Sequence, residues 1–142
     1  MRRWTAPACL VVALSVAACG GDGGASATST SPTISAGRPA STAKLAITSP
    51  TNGQIVRGTT VQLEVSLEDA TVVPATTTDI VPDEGHLHVI LDDQLVSMTG
   101  DTSQMLADLT PGQHLLKVEF VASDHAPFGP RVIAAVAFEV KG

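Results

Sequence analysis

The chain has 142 residues, only 15% of them charged, and a formal net charge of −6 at pH 7. A chain this acidic, with no cluster of Lys and Arg, repels nucleic acid and anionic lipid headgroups, so neither is an expected partner. Aromatic residues make up 3% of the chain and tyrosine is absent, which argues against an aromatic platform for sugars or bases.

The first element in chain order is a short segment with the features of an export signal. Arg2 and Arg3 form a positively charged start, and residues 10–14 form an apolar stretch too short to span a membrane. The chain then continues as Val16-Ala17-Ala18-Cys19-Gly20. This ending resembles the lipobox of bacterial lipoproteins. The resemblance implies that residues 1–18 are removed, and that a lipid such as palmitate on Cys19 anchors the protein to the extracytoplasmic side of the cell membrane.

A flexible linker is predicted at residues 19–43. After Cys19 it consists almost entirely of Gly, Ala, Ser, Thr and Pro, and it offers no periodic apolar face to bury. Cys9 would leave with the signal and Cys19 would carry lipid, so neither a disulfide nor a free thiol would remain. The sequence therefore predicts one tethered domain at residues 44–142, long enough for a single modest core.

The domain has the period-two alternation of β-strands rather than helical spacing. The clear strands lie at residues 61–68, 87–91, 116–120 and 132–140. Weaker strands are expected at residues 45–48, 94–98 and 103–109, with turn-forming residues between the segments. About seven short strands predict an all-β, immunoglobulin-like antiparallel β-sandwich.

Three stretches of the domain carry a family resemblance. Residues 47–53 (ITSPTNG), 61–67 and 109–118 (LTPGQHLLKV) resemble the immunoglobulin-like modules of secreted bacterial proteins. The shared motifs are turns and core positions, so the resemblance implies a fold and no activity. The chain is also similar to uncharacterised secreted proteins that have a Gly-His-x-His strand followed by a late Asp-His pair, and this likeness implies no activity either.

The histidines carry the chemistry of the domain. His86 and His88 flank Leu87 in a predicted strand, and because Leu87 would face the core, both imidazoles should project from the opposite face. Two imidazoles on one face are well placed to share a metal ion. In an immunoglobulin-like order, the chain that follows the strand at 116–120 lies at the same end of the sandwich as His86. His125 is therefore expected to approach His86.

The fourth metal ligand would be Met98 or Asp124. The hairpin predicted at Asp92-Asp93 would return the chain past His88 and bring Met98 close, whereas Asp124 directly precedes His125. Imidazole and thioether donors favour copper, and zinc would follow if Asp124 completes the set. The His-aliphatic-His strand also resembles the metal-binding strand of copper-zinc superoxide dismutases, but the likeness is too short to imply dismutase activity.

A structural interpretation of these residues stays open. His86 and His88 would then hydrogen-bond loop carbonyls, and His125 would cap the turn after Asp124. His114 lies in the core-facing register of the strand at 116–120, so it is expected to tie down a corner of the sandwich. Met105 is expected to fill space in the core.

Catalytic motifs are missing from the sequence. It has no recognisable nucleophile elbow, no glycine-rich phosphate loop and no HExxH helix, so the protein is not expected to be an enzyme. Two functions remain open. One is a non-catalytic binding or structural module that contacts another protein of the cell envelope, and the other is an envelope protein that binds copper or zinc.

Overall fold

Two β-sheets make up the part of the chain that the structure, a computed structural model, describes, namely residues 37–74 and 79–142. The predicted signal and most of the predicted linker lie outside these residues. The strands in chain order are β1 (Lys44–Ser49), β2 (Ile55–Arg57), β3 (Val61–Glu68), β4 (Thr71–Val72), β5 (Glu84–Leu91), β6 (Gln94–Thr99), β7 (Ser103–Leu106), β8 (Gly112–Ala122) and β9 (Pro127–Lys141). Among the described residues, no helix has the length and hydropathy of a membrane span.

The order of the strands is that of an immunoglobulin-like sandwich. One sheet runs β1–β3–β7, and the other runs β2–β9–β8–β5–β4 with β6 also paired to β5. Each of the predicted strands has a counterpart, so the predicted all-β sandwich is confirmed. The short strands β2 and β4 were not predicted. They pair in parallel with β9 and β5 and are only two or three residues long, too short to show alternation.

The core lies between the two sheets and is built from the alternating apolar residues of the long strands. Leu87 and Val89 of β5 are fully buried in it, together with Phe120 of β8. Their burial on this side sends His86 and His88 to the outer face, as expected. The prediction that Met105 lies in the core is wrong: its side chain is 59% exposed, because the next residue, Leu106, takes the inward position on β7.

His114 closes the end of the sandwich opposite His86. It is buried, its Nδ1 lies 2.6 Å from Asp92 Oδ2, and its Nε2 lies 2.7 Å from the carbonyl oxygen of Thr110. A carboxylate and a carbonyl oxygen both accept hydrogen bonds, so His114 makes both bonds only when its two ring nitrogens are protonated. The predicted corner role of His114 is therefore confirmed, and it ties the β5–β6 hairpin to the turn before β8.

The hydrogen bonds of His114 make the free energy of unfolding depend on pH. The Thr110 carbonyl, followed by Asp92, raises the pKa of His114 above its usual 6.5, although burial opposes the shift. The stabilisation is fully present below pH 6.5, the pKa in the unfolded chain, and is lost as the pH rises through the higher folded pKa. We expect urea denaturation to show the unfolding free energy of the wild type falling over that pH window. The His114→Gln protein should be less stable than the wild type at the acid end, and its unfolding free energy should change less with pH. Parallel curves for the two proteins would contradict this assignment.

Candidate metal centre

The site begins where β5 meets β8 at very short range. Gly85 lies opposite Ala122, and a Cβ atom added to Gly85 would sit 2.0 Å from the carbonyl oxygen of Val121. Only glycine allows the two backbones to come this close. The close approach fixes the start of β5, and therefore the position of His86, against the end of β8.

His125 reaches the same place from the connection between β8 and β9. Its backbone has a positive φ of 63°, a conformation that non-glycine residues adopt at a cost and that clusters at functional sites. The N–H of His125 donates to the Ala122 carbonyl at 2.9 Å, and the N–H of Ala122 donates to the Ala126 carbonyl at 3.1 Å. This tight turn sends the His125 ring back toward β5, where its Nδ1 lies 2.9 Å from Nε2 of His86.

Three imidazoles converge at this point. One ring nitrogen from each of His86, His88 and His125 lies within 4.8 Å of the other two. The ring centroids are 4.3 Å apart for His86 and His125, and 5.2 Å apart for His86 and His88. Nitrogens bound to one tetrahedral metal at about 2.0–2.1 Å would be about 3.3 Å apart, and the 4.8 Å limit on the three nitrogens is about 1.5 Å wider than this.

The environment keeps two of these rings neutral. Burial, and then the proximity of His125 and His88, lowers the pKa of His86 from 6.5 to about 4. Burial, and then His125, likewise lowers the pKa of His88. Neutral imidazole is the form that binds metals. Nδ1 of His86 and Nε2 of His88 are moreover buried without a hydrogen-bond partner within the described structure, a costly state for a polar atom.

Asp124, which the sequence suggested as a fourth ligand, is engaged elsewhere. Both of its carboxylate oxygens accept hydrogen bonds from the guanidinium of Arg38, at 2.6 and 2.9 Å. This bidentate pair lowers the pKa of Asp124, although slight burial opposes the shift. Asp124 thus holds the turn that carries His125, and it does not join the group of converging histidines.

Arg38 is a residue of the site that sequence reasoning missed. Besides Asp124, its guanidinium donates to the carbonyls of Ala126 and Pro127, each at 2.9 Å. Pro39 also accepts a hydrogen bond from the Gly129 N–H. Arg38, which lies within the predicted linker, therefore packs on the domain. The available signal was that Arg38 is the only basic residue in the stretch 20–43.

Met98, the other suggested fourth ligand, lies beside the histidines. It is opposite His88 in the pairing of β5 with β6, because a register shift between Val89 and Ile90 puts Met98 where a regular hairpin would put Ser97. Asp92 and Asp93 form that hairpin with positive φ values of 50° and 64°. Met98 also lines a cavity of about 420 Å³ that His86 and His125 share. A thioether donor is thus present at the mouth of the site.

A second ion pair lies next to His88 and was also missed. Glu119 is opposite His88 on β8 and is buried, and its carboxylate accepts hydrogen bonds from Nε and Nη2 of Arg131 at 2.6 and 2.5 Å. The alternation of Glu119 with the core residues Val118 and Phe120 placed it on the outer face, but nothing in the sequence linked it to Arg131. The pair leaves no uncompensated carboxylate charge against His88.

Comparisons with known proteins report similarity of fold and sequence. The model of a family described as "Family of unknown function (DUF6130)" matches residues 3–141. A structure of the fibronectin(III)-like modules of Clostridium thermocellum CbhA is 20% identical, with a TM-score of 0.48, covering 68% of this chain and 94% of that one. The PKD domain of human KIAA0319 is 18% identical, with a TM-score of 0.44, covering 75% of this chain and 88% of that one. None of the curated proteins matches the sequence.

Proposed function

The chain belongs to DUF6130, a family of unknown function, so its function has to be argued from its site, and we propose that the domain binds a copper or zinc ion. The ligands are His86, His88 and His125. The observation that supports this proposal is the convergence of three imidazole nitrogens within 4.8 Å on an immunoglobulin-like scaffold. Three histidines are an established ligand set for a metal that keeps an open position.

The structural interpretation explains the same geometry less well. If the histidines served only to fix loops, their ring nitrogens should bond loop carbonyls, as those of His114 do. Instead His86 bonds His125, and a nitrogen on each of His86 and His88 is buried without a partner. A buried polar atom without a partner costs about 1–3 kcal/mol, and coordination of His88 Nε2 to a metal would remove that cost for His88.

Copper is the favoured ion because of the remaining donor. Met98 stands at the cavity beside the histidines, and thioether and imidazole donors together suit copper, above all in its reduced state. The carboxylate that would have favoured zinc, Asp124, is bound to Arg38. Of the described side chains, only the three imidazoles would then bind zinc.

The test is a titration of the purified chain with Cu(II) and Zn(II) by calorimetry, and with Cu(I) by chelator competition. We expect binding tighter than micromolar for at least one ion, and a large loss of affinity in His125→Ala. His114→Gln is the matched control, because it removes a histidine outside the site, and it should bind normally. Met98→Leu should weaken Cu(I) binding and leave Zn(II) binding unchanged. Binding weaker than micromolar for every ion would refute the proposal.

The proposal includes the place where the protein works. The lipobox-like stretch that ends at Cys19 supports an exported lipoprotein, anchored to the cell membrane with its domain on the extracytoplasmic side. In that setting the site would handle envelope metal. Cys19→Ala should release the chain from the membrane fraction, and wild-type protein that stays soluble would contradict the anchor.

The alternative function is binding to another envelope protein. The surface for it would be strand β6. Leu95 and Val96 are about half exposed there, at 52% and 48%, along an edge of the larger sheet. Scattered apolar residues on a surface are common, whereas three converging imidazoles with partly unpaired nitrogens are not. We therefore favour metal binding.

A further inference from the structure

The cavity next to the histidines has a defined place in the fold. It measures about 420 Å³, and two of the three proposed ligands, His86 and His125, form part of its wall. The rest comes from β4 and the residues that follow it, and from the end of β6 with the turn after it. One water occupies about 30 Å³ in the liquid, so a molecule with several heavy atoms can enter.

The metal proposed above would face this cavity with an unfilled coordination position. Three protein ligands leave a fourth position of a tetrahedral ion to water or to another molecule. Met98 would fill it for Cu(I), but a thioether is a poor ligand for harder divalent ions. In the divalent state, the position is therefore open toward the cavity.

The charges around the cavity determine the charge of the molecule that would bind there. Three neutral imidazoles leave both positive charges of a divalent ion in place. Asp124 is paired with Arg38 and Glu119 with Arg131, so neither offsets that charge. Among the described residues that line the cavity, Asp101 is the one carboxylate. One positive charge remains, and a monoanion would neutralise it.

Another part of the cavity wall is apolar. Val72, Val73 and Pro74 line it, and both valines are half-buried rather than fully exposed. A ligand with a negative oxygen and a short hydrocarbon chain would match both the metal and the apolar part of the wall. From this arrangement, and on the basis of the proposed metal site, we infer that the domain binds a small aliphatic monocarboxylate, with the carboxylate on the metal and the hydrocarbon against Val72 and Val73.

The experiment uses the full chain loaded with Co(II), whose visible absorption bands report on its ligands. Metal loading is measured first, because failure at that step refutes the metal site itself and, with it, this inference. Formate, acetate, propanoate and butanoate are then titrated in turn. We expect each to shift the bands saturably, with affinity rising about fourfold for each added CH₂ as more apolar surface is buried.

Two variants test whether the cavity holds the hydrocarbon. Val73→Phe should fill the cavity, leave Co(II) affinity unchanged and weaken butanoate binding at least about tenfold. Val96→Phe makes the same change beside a different cavity, formed with Met105 and Leu106, and should leave both affinities unchanged. Bound Co(II) whose spectrum no carboxylate alters would overturn the inference while the metal site stands. Equal affinity for formate and butanoate would also overturn it, and that readout does not depend on either variant folding.

Discussion

Replacing Gly85 by alanine is expected to lower the free energy of unfolding by about 3 kcal/mol or more. The added Cβ would lie 2.0 Å from the Val121 carbonyl oxygen and 3.0 Å from Cζ of Phe120. The first contact is with backbone, which cannot move without breaking the pairing of β5 with β8. Because Phe120 is fully buried in the core, its ring has little room to move away from the added Cβ atom. Chemical denaturation of the metal-free protein, with chelator present, would measure the loss.

Gly100→Ala is the matched control for that experiment. A Cβ there would meet only Cγ1 of Val72, at 3.4 Å, an ordinary contact distance. Its effect should stay within about 1 kcal/mol, and a slight gain is expected if the backbone conformation suits alanine. Similar stability for Gly85→Ala and wild type would mean that β5 and β8 are not packed as closely as described.

Replacing His88 by valine is expected to weaken metal binding without lowering the free energy of unfolding. The metal-free domain should be as stable as the wild type or about 1 kcal/mol more stable, because a buried nitrogen without a partner is removed and valine suits a strand. Metal affinity should fall at least about 100-fold, since loss of a ligand exceeds the 10–100-fold cost of losing a supporting hydrogen bond. Denaturation in chelator and metal titration give the two values.

His114→Val provides the contrast, because the same change at a structural histidine should reduce stability. It would remove the donor to Asp92 Oδ2 and to the Thr110 carbonyl, and it should leave metal affinity unchanged. If His88→Val instead behaved like His114→Val, losing stability and keeping its metal, then His88 would be a structural residue and the proposed function would fail.

Much of the site could be predicted because it follows from strand alternation. Burial of Leu87 and Val89 requires His86 and His88 to share the outer face, and this depends only on the period of two. The Asp92-Asp93 turn then returns β6 past His88, although the register shift between Val89 and Ile90 that puts Met98 opposite His88 has no signal in the sequence. The approach of His125 required one further step, the order of strands in an immunoglobulin-like fold, and the observed 2.9 Å contact with His86 agrees with it.

The parts that escaped prediction depend on contacts between distant residues. Arg38 and Asp124 are separated by 86 positions, and no local pattern in a stretch of small residues indicates that one arginine will bind a remote loop. The same holds for Arg131 and Glu119. Met105 was misplaced for a different reason: a weak strand leaves its phase ambiguous, and a shift by one residue exchanges the two faces.

The contacts of Arg38 separate two boundaries that sequence reasoning had treated as one. The first strand starts at Lys44, and a chain cut there would keep every strand of the sandwich. It would nevertheless lose four hydrogen bonds that Arg38 makes to the segment holding His125. The strands of the sandwich and the contacts that hold the His125 turn therefore begin at different residues, and the second set begins earlier in the chain.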